Sequence, residues 1–160
     1  MSPDPHEIRF LRRALELAAE NADCGDGGPF GAVIVHNDQI IAEARNRVVV
    51  DNDPTAHAEV EALRAACKKL GQFHLEGCVL YASSEPCPMC LAAAYWARVA
   101  RIVYANSRSE AAAAGFCDAE LYQEFLLAPN DRRIPCRQLE LPNARAPFEA
   151  WRISPHKRDY

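Results

Sequence analysis

No apolar run in this 160-residue chain is long enough to cross a bilayer as a helix, so no membrane partner is expected. Basic excess is missing too. The 18 Lys and Arg face 22 Asp and Glu, for a net charge of −4, and no basic stretch stands out. That removes the general attraction to a phosphate backbone and argues against a nucleic-acid partner. The glycine cluster Gly25, Gly27 and Gly28 lacks the third glycine of a dinucleotide-binding turn, because Phe30 stands in its place. The N-terminus, Met1-Ser2-Pro3-Asp4-Pro5-His6-Glu7, is acidic and proline-broken where a secretion signal is basic and then apolar. Seven cysteines therefore read as free thiols of a reduced, cytoplasmic protein. Only Cys87 and Cys90 are closely spaced, and no second pair of Cys or His stands ready to close a structural metal site.

What the chain does have is His57-Ala58-Glu59, then residues 60 to 85, then Pro86-Cys87-Pro88-Met89-Cys90. This H-x-E and P-C-x-x-C pattern is that of the zinc-dependent nucleobase deaminases. A catalytic zinc takes three protein ligands and keeps one position open for water. One imidazole and two thiolates supply the three, and the thiolate charges neutralise Zn²⁺. Glu59, two residues from the histidine, is close enough to handle the water's protons without occupying the metal. A bare C-x-x-C is also compatible with a redox pair, half a structural site or two small buried residues. None of those readings calls for His57 and Glu59 upstream.

Taken in order, 160 residues with 49% hydrophobic content make one domain with a real core. Ile8, Leu11, Leu15 and Ala18 mark an amphipathic helix over residues 6–22. Phe30–Val35 and Gln39–Ala44 form a hairpin about Asn37-Asp38, and residues 45–53 form a loop. A helix follows from Pro54 to Leu70, with Thr55 as its cap and His57 and Glu59 in its opening turns. Residues 78–83 and 99–105 read as strands flanking a helix that starts at Pro86 to Pro88. Short helices at 108–114 and 119–127, a strand at 134–141 and a helix at 147–153 complete the chain. Both ligand clusters open helices, where the dipole favours negative charge.

The whole chain resembles the bacterial guanine deaminases of the cytidine deaminase superfamily. The likeness lies in Gly27-Gly28-Pro29-Phe30-Gly31-Ala32-Val33, Asn52 to Val60, Glu85 to Leu91, Tyr95-Trp96-Ala97-Arg98, Ala114-Gly115-Phe116 and the closing Lys157-Arg158-Asp159-Tyr160. The resemblance implies a three-layer α/β/α fold around a mixed five-stranded sheet, with residues 1–160 as one deaminase domain. It implies one Zn²⁺ on His57, Cys87 and Cys90, with Glu59 as proton shuttle. Asn46 and Asp118 would hydrogen-bond the purine, Asp118 with a catalytic share, while Phe30, Ala58 and Trp96 would line the pocket. Tyr160 would reach a neighbour's pocket through a tail, residues 154–160, swapped within a homodimer. The implied reaction is hydrolysis of guanine to xanthine and ammonia. Guanosine, s-triazines such as ammeline, cytosine or cytidine, and tRNA adenosine stay open as substrates of the same chemistry, and so does a zinc-stabilised fold without catalysis. Each borrowed role has a plainer counterpart: Asn46 as a loop residue, Asp118 as a helix cap, Trp96 as core and Tyr160 as an unanchored end. Cys117 departs from the acidic residue expected just before Asp118.

Overall fold

The computed structural model describes residues 4–116 and 118–159. The first helix, α1 (Pro5–Cys24), starts where Asp4 accepts from the His6 N–H at 2.9 Å, has Pro5 in its first turn, and stops at Gly25 with φ +74°. Its buried face is Phe10, Ala14, Leu17, Ala18 and Asn21, whereas Ile8 and Leu15 are exposed. Of the expected stripe, Ala18 is buried and Leu11 packs against the core, while the packed face is centred on Phe10, Ala14 and Leu17. Close approach explains the choice. A Cβ on Gly31 would stand 2.3 Å from the Ala14 carbonyl oxygen, so helix and strand meet nearly backbone to backbone.

Strands β1 (Gly31–His36) and β2 (Gln39–Arg45) form the expected hairpin, with Asn37 and Asp38 both at positive φ as a type I′ turn needs. A single turn, α2 (Val48–Asp51), interrupts the expected loop and is clasped by two Arg47–Asp51 contacts of 2.7 and 2.8 Å. Helix α3 (Ala58–Leu70) begins later than the sequence pattern suggests. Thr55 does not cap it, because both its N–H and its hydroxyl bond Asp53 Oδ1 at 2.7 Å, and His57 holds the cap position instead. Strand β3 (Val79–Ser84), helix α4 (Pro88–Trp96), strand β4 (Arg101–Asn106) and helix α5 (Arg108–Ala113) follow.

The described sheet has four strands in the order β2-β1-β3-β4, mixed because β1 runs antiparallel to both neighbours and β3 parallel to β4. The expected fifth strand at 134–141 is not formed, since the described part of that segment joins no ladder. Pro135 and Pro142 remove donors at its two ends, and an alternating pattern without a pairing edge is no strand. Side chains of β1 alternate between two cores, as the period of a strand requires. Val33 and Val35 pack with Phe10 and Leu17 of α1, while Ala32 and Ile34 pack with Ala62, Leu63 and Ala66 of α3. These are the three layers.

The chain divides into two compact units, Met1–Ala119 and Glu120–Tyr160. The second contains most of α6 (Ala119–Leu126), a 3₁₀ turn (Pro129–Asp131) and α7 (Ala146–Ile153). Arg133 ties it together by donating from its backbone to Glu124 and pairing with Glu120. No helix among the described residues is long and apolar enough to cross a membrane.

Candidate active site

His57 and Cys87 occupy the cap positions of α3 and α4, and neither side chain makes a capping hydrogen bond. They turn toward each other instead. His57 Nδ1 lies 3.7 Å from Cys87 Sγ and 3.4 Å from Cys90 Sγ, and the two sulfurs are 3.6 Å apart. A tetrahedral zinc with ordinary bond lengths has ligand edges of about 3.5 Å (N to S) and about 3.8 Å (S to S). The triangle matches those edges.

Its protons make the same case. The Cys87 thiol is brought down to about 4, first by the bond from Cys90 and also by His57. Cys90 is pushed strongly up, chiefly by that thiolate beside it and then by burial. Two buried sulfurs this close hold one negative charge comfortably, and a second needs a cation between them. His57 is raised by its bond to Cys87.

Glu59, the second residue of α3, is 7% exposed and lies 3.5 Å from Cys90 Sγ through Oε2. Burial pushes its carboxyl up to about 7. It faces a cavity of about 310 Å³ shared with His57, Cys87, Phe30, Asn46 and Asp118. Burial, and after it the Cys87 charge, raises Asp118 as well. Asn46 is buried and its Oδ1 accepts from the N–H groups of Gly28 (3.3 Å) and Val48 (3.1 Å).

Two expected pocket residues stand elsewhere. Trp96, the last residue of α4, is 66% exposed and outside the cavity lining, because α4 carries it away from the end that bears the cysteines. The Ala58 side chain lies in the main core. Tyr160 and Cys117 lie outside the described residues.

The structure adds lining residues that carried no role in the sequence reading. Phe116 meets Phe30 edge to face with ring centres 4.8 Å apart. Glu85 borders the cavity and is held by Arg108, whose guanidinium and N–H reach it at 2.7 and 3.0 Å. Burial works to raise Glu85, but these two contacts outweigh it and its carboxyl is lowered. Their positions beside Cys87 and Gly115 were the available signal.

Residues 5–106 match the cytidine and deoxycytidylate deaminase zinc-binding region. The guanine deaminase of Bacillus subtilis is 52% identical over 97% of this chain and 99% of its own. Its crystal structure superposes with a TM-score of 0.94, covering 96% of this chain and 98% of that one at 51% identity. The guanine deaminase of Nitrosomonas europaea has a TM-score of 0.66 at 34% identity, over 74% of this chain and 67% of its own. A tRNA-specific adenosine deaminase of Agrobacterium fabrum is 45% identical, but over only 59% of this chain and 62% of its own. Shared zinc-binding segment, full-length identity and matching ligand triangle agree: the chain belongs to the bacterial guanine deaminases of the zinc-binding cytidine and deoxycytidylate deaminase family.

Proposed function

We propose that this protein hydrolyses guanine to xanthine and ammonia in the cytoplasm. The observation that carries the reading is a single cavity bordered by two of the three zinc-ligating residues, by a proton carrier and by two groups suited to reading a purine edge. At about 310 Å³ the cavity is at the small end for ligand sites, which favours a free base over a nucleoside or an oligonucleotide. A net charge of −4 also disfavours tRNA.

Zinc on His57, Cys87 and Cys90 would supply Lewis acidity that brings a water's pKa down toward ~7. Glu59 takes a proton from the attacking water and delivers it to the ring nitrogen beside C2. The C2–O bond forms, Glu59 takes the remaining proton from that new hydroxyl and passes it to the exocyclic amine, and the bond from C2 to that amine breaks to release ammonia as the C2 carbonyl forms. A carboxyl at about 7 both accepts and releases protons at neutral pH. Asn46 donates to an acceptor on the purine, and Asp118 accepts from its N–H donors. A base lacking those donors would leave the carboxylate unpaired, which is where discrimination arises. Phe30 packs on the ring.

The second unit supports a homodimer in which residues 154–160 cover the neighbour's pocket, with Tyr160 contributing there. Its apolar side chains Leu126, Ile134, Phe148 and Ile153 are 76–79% exposed within the chain, so a partner surface would shelter them. Ammonia release measured across guanine, guanosine, ammeline, cytosine, cytidine and adenine tests the substrate. Guanine should lead, and preferred turnover of any other compound would overturn the assignment.

A further inference from the structure

Asn21 is the one polar residue on the buried face of α1, and it is 0% exposed. A buried carboxamide costs stability unless its donors are satisfied, and a Leu or Met would fill the same space at no such cost. Its two Nδ2 protons go to two carbonyls that no strand ladder reaches. One is Gly28 O at 2.7 Å, in the turn before β1, and the other is Asn46 O at 2.9 Å, just past the end of β2. Both residues line the cavity. The rest of Asn46 is clamped as well: its N–H donates to Phe30 O at 3.1 Å, and its Oδ1 accepts from Gly28 and Val48. With Oδ1 engaged twice, Nδ2 is the end of the carboxamide left for a bound molecule. The fit around it is tight. A Cβ on Gly27 would stand 2.2 Å from Asn46 Oδ1 and 2.9 Å from its carbonyl oxygen.

We propose that Asn21 is a positioning residue for substrate recognition, acting through Asn46. It fastens the Gly27-Gly28 turn and the end of β2 to one rigid helix, so that the Asn46 amide meets the purine in a fixed orientation. Without it, the part-buried Gly28 carbonyl keeps only the Phe30 N–H at 2.8 Å, the buried Asn46 carbonyl must shift to find a donor, and the contacts holding Asn46 Oδ1 move with it. A small displacement of an orienting group is enough to lower turnover. The proposal rests on the guanine reading above only for its choice of substrate.

The test is a double-mutant cycle in kcat/KM for guanine, with zinc content measured on each protein. Asn21→Ala should lower kcat/KM by ~10- to 100-fold with zinc retained, the loss expected for removing one or two hydrogen bonds. In the Asn46→Ala background the same change should cost less than about threefold, since residues acting through one another are not additive. If Asn21→Ala does not fold, Asn21→Ser, which keeps one donor, enters the cycle in its place. A near-normal kcat/KM, or an equal loss in both backgrounds, overturns the proposal. The Asn46 side-chain amide resonance, assigned by its disappearance in Asn46→Ala, gives a reading without substrate. It should shift or broaden in Asn21→Ala, and an unchanged signal counts against the proposal even if the wild type proves inactive on guanine.

Discussion

Ile34 and Ile134 are the same side chain in two situations. Ile34, in the middle of β1, is 0% exposed among Ala62, Leu63 and Leu80, while Ile134, in the Glu120–Tyr160 unit, is 77% exposed. The contrast extends to the units themselves. Met1–Ala119 encloses two apolar cores and every described residue of the zinc-ligand set, whereas no described residue of Glu120–Tyr160 is buried. The first unit thus carries the zinc-ligand set beside a closed apolar core. The second is held by polar ties such as Arg133 to Glu120, and its apolar side chains Leu126, Ile134, Phe148 and Ile153 stand exposed.

The sharpest way to break this comparison is at the zinc ligands. Cys90→Ala should lose zinc and all measurable deamination, whereas Glu59→Ala should keep zinc and lose ~10²–10⁴-fold in turnover. Metal analysis beside kinetics separates the two, and a Glu59→Ala enzyme with near-normal turnover would remove its role.

The isoleucines come next. Ile34→Ala should destabilise by ~2–5 kcal/mol at any protein concentration, because it opens a cavity in a closed core. Ile134→Ala should act only where the proposed dimer exists, so its effect on Tm should grow with protein concentration. A concentration-independent loss at Ile134 would mean that its cover lies within the chain.

Legibility in the sequence followed the same divide. His57, Glu59, Cys87 and Cys90 could be read because their spacing reflects local geometry, two helix starts whose residue types only a metal explains. The hairpin at Asn37-Asp38 was legible for the same local reason. The strand at 134–141 was misread because alternation records two faces and not the presence of a neighbour. Trp96 stands outside the cavity lining at the end of α4, a direction that a role borrowed from a family does not convey. Asn21 went unnoticed since a polar residue in an amphipathic helix looks like surface until its carbonyl partners, 7 and 25 residues away, are in view.

Removing residues 155–160 tests the second unit directly. Zinc content and folding stability should persist, while kcat/KM should fall by ~10- to 100-fold if a hydrogen bond from the neighbour's tail is lost. An unchanged kcat/KM would end the swapped-tail proposal. The smallest expected effect lies on the surface of the first unit. The Arg13 fork grips Glu43 at 2.7 and 3.0 Å and holds its carboxyl below the usual range. A depressed carboxyl contributes stability above its unfolded pKa of about 4.3, and the contribution disappears as pH falls through the folded value. Glu43→Gln should therefore cost at most about 1 kcal/mol at pH 7 and nothing in strong acid, as urea titrations at the two pH values would show.

The β1–β3 pairing carries one more consequence, for the order of events in folding. Ala32 pairs with Ala82, and the chain between them contains β2, α2 and all of α3. His57 and Cys87 are carried by α3 and α4, the helices before and after β3, and we expect the metal site to assemble only once the β1–β3 pairing has formed. Zinc then acts as a latch on a finished sheet. Stopped-flow measurements should find the refolding rate indifferent to zinc and the unfolding rate strongly slowed by it, and a zinc-accelerated refolding phase would reverse that order.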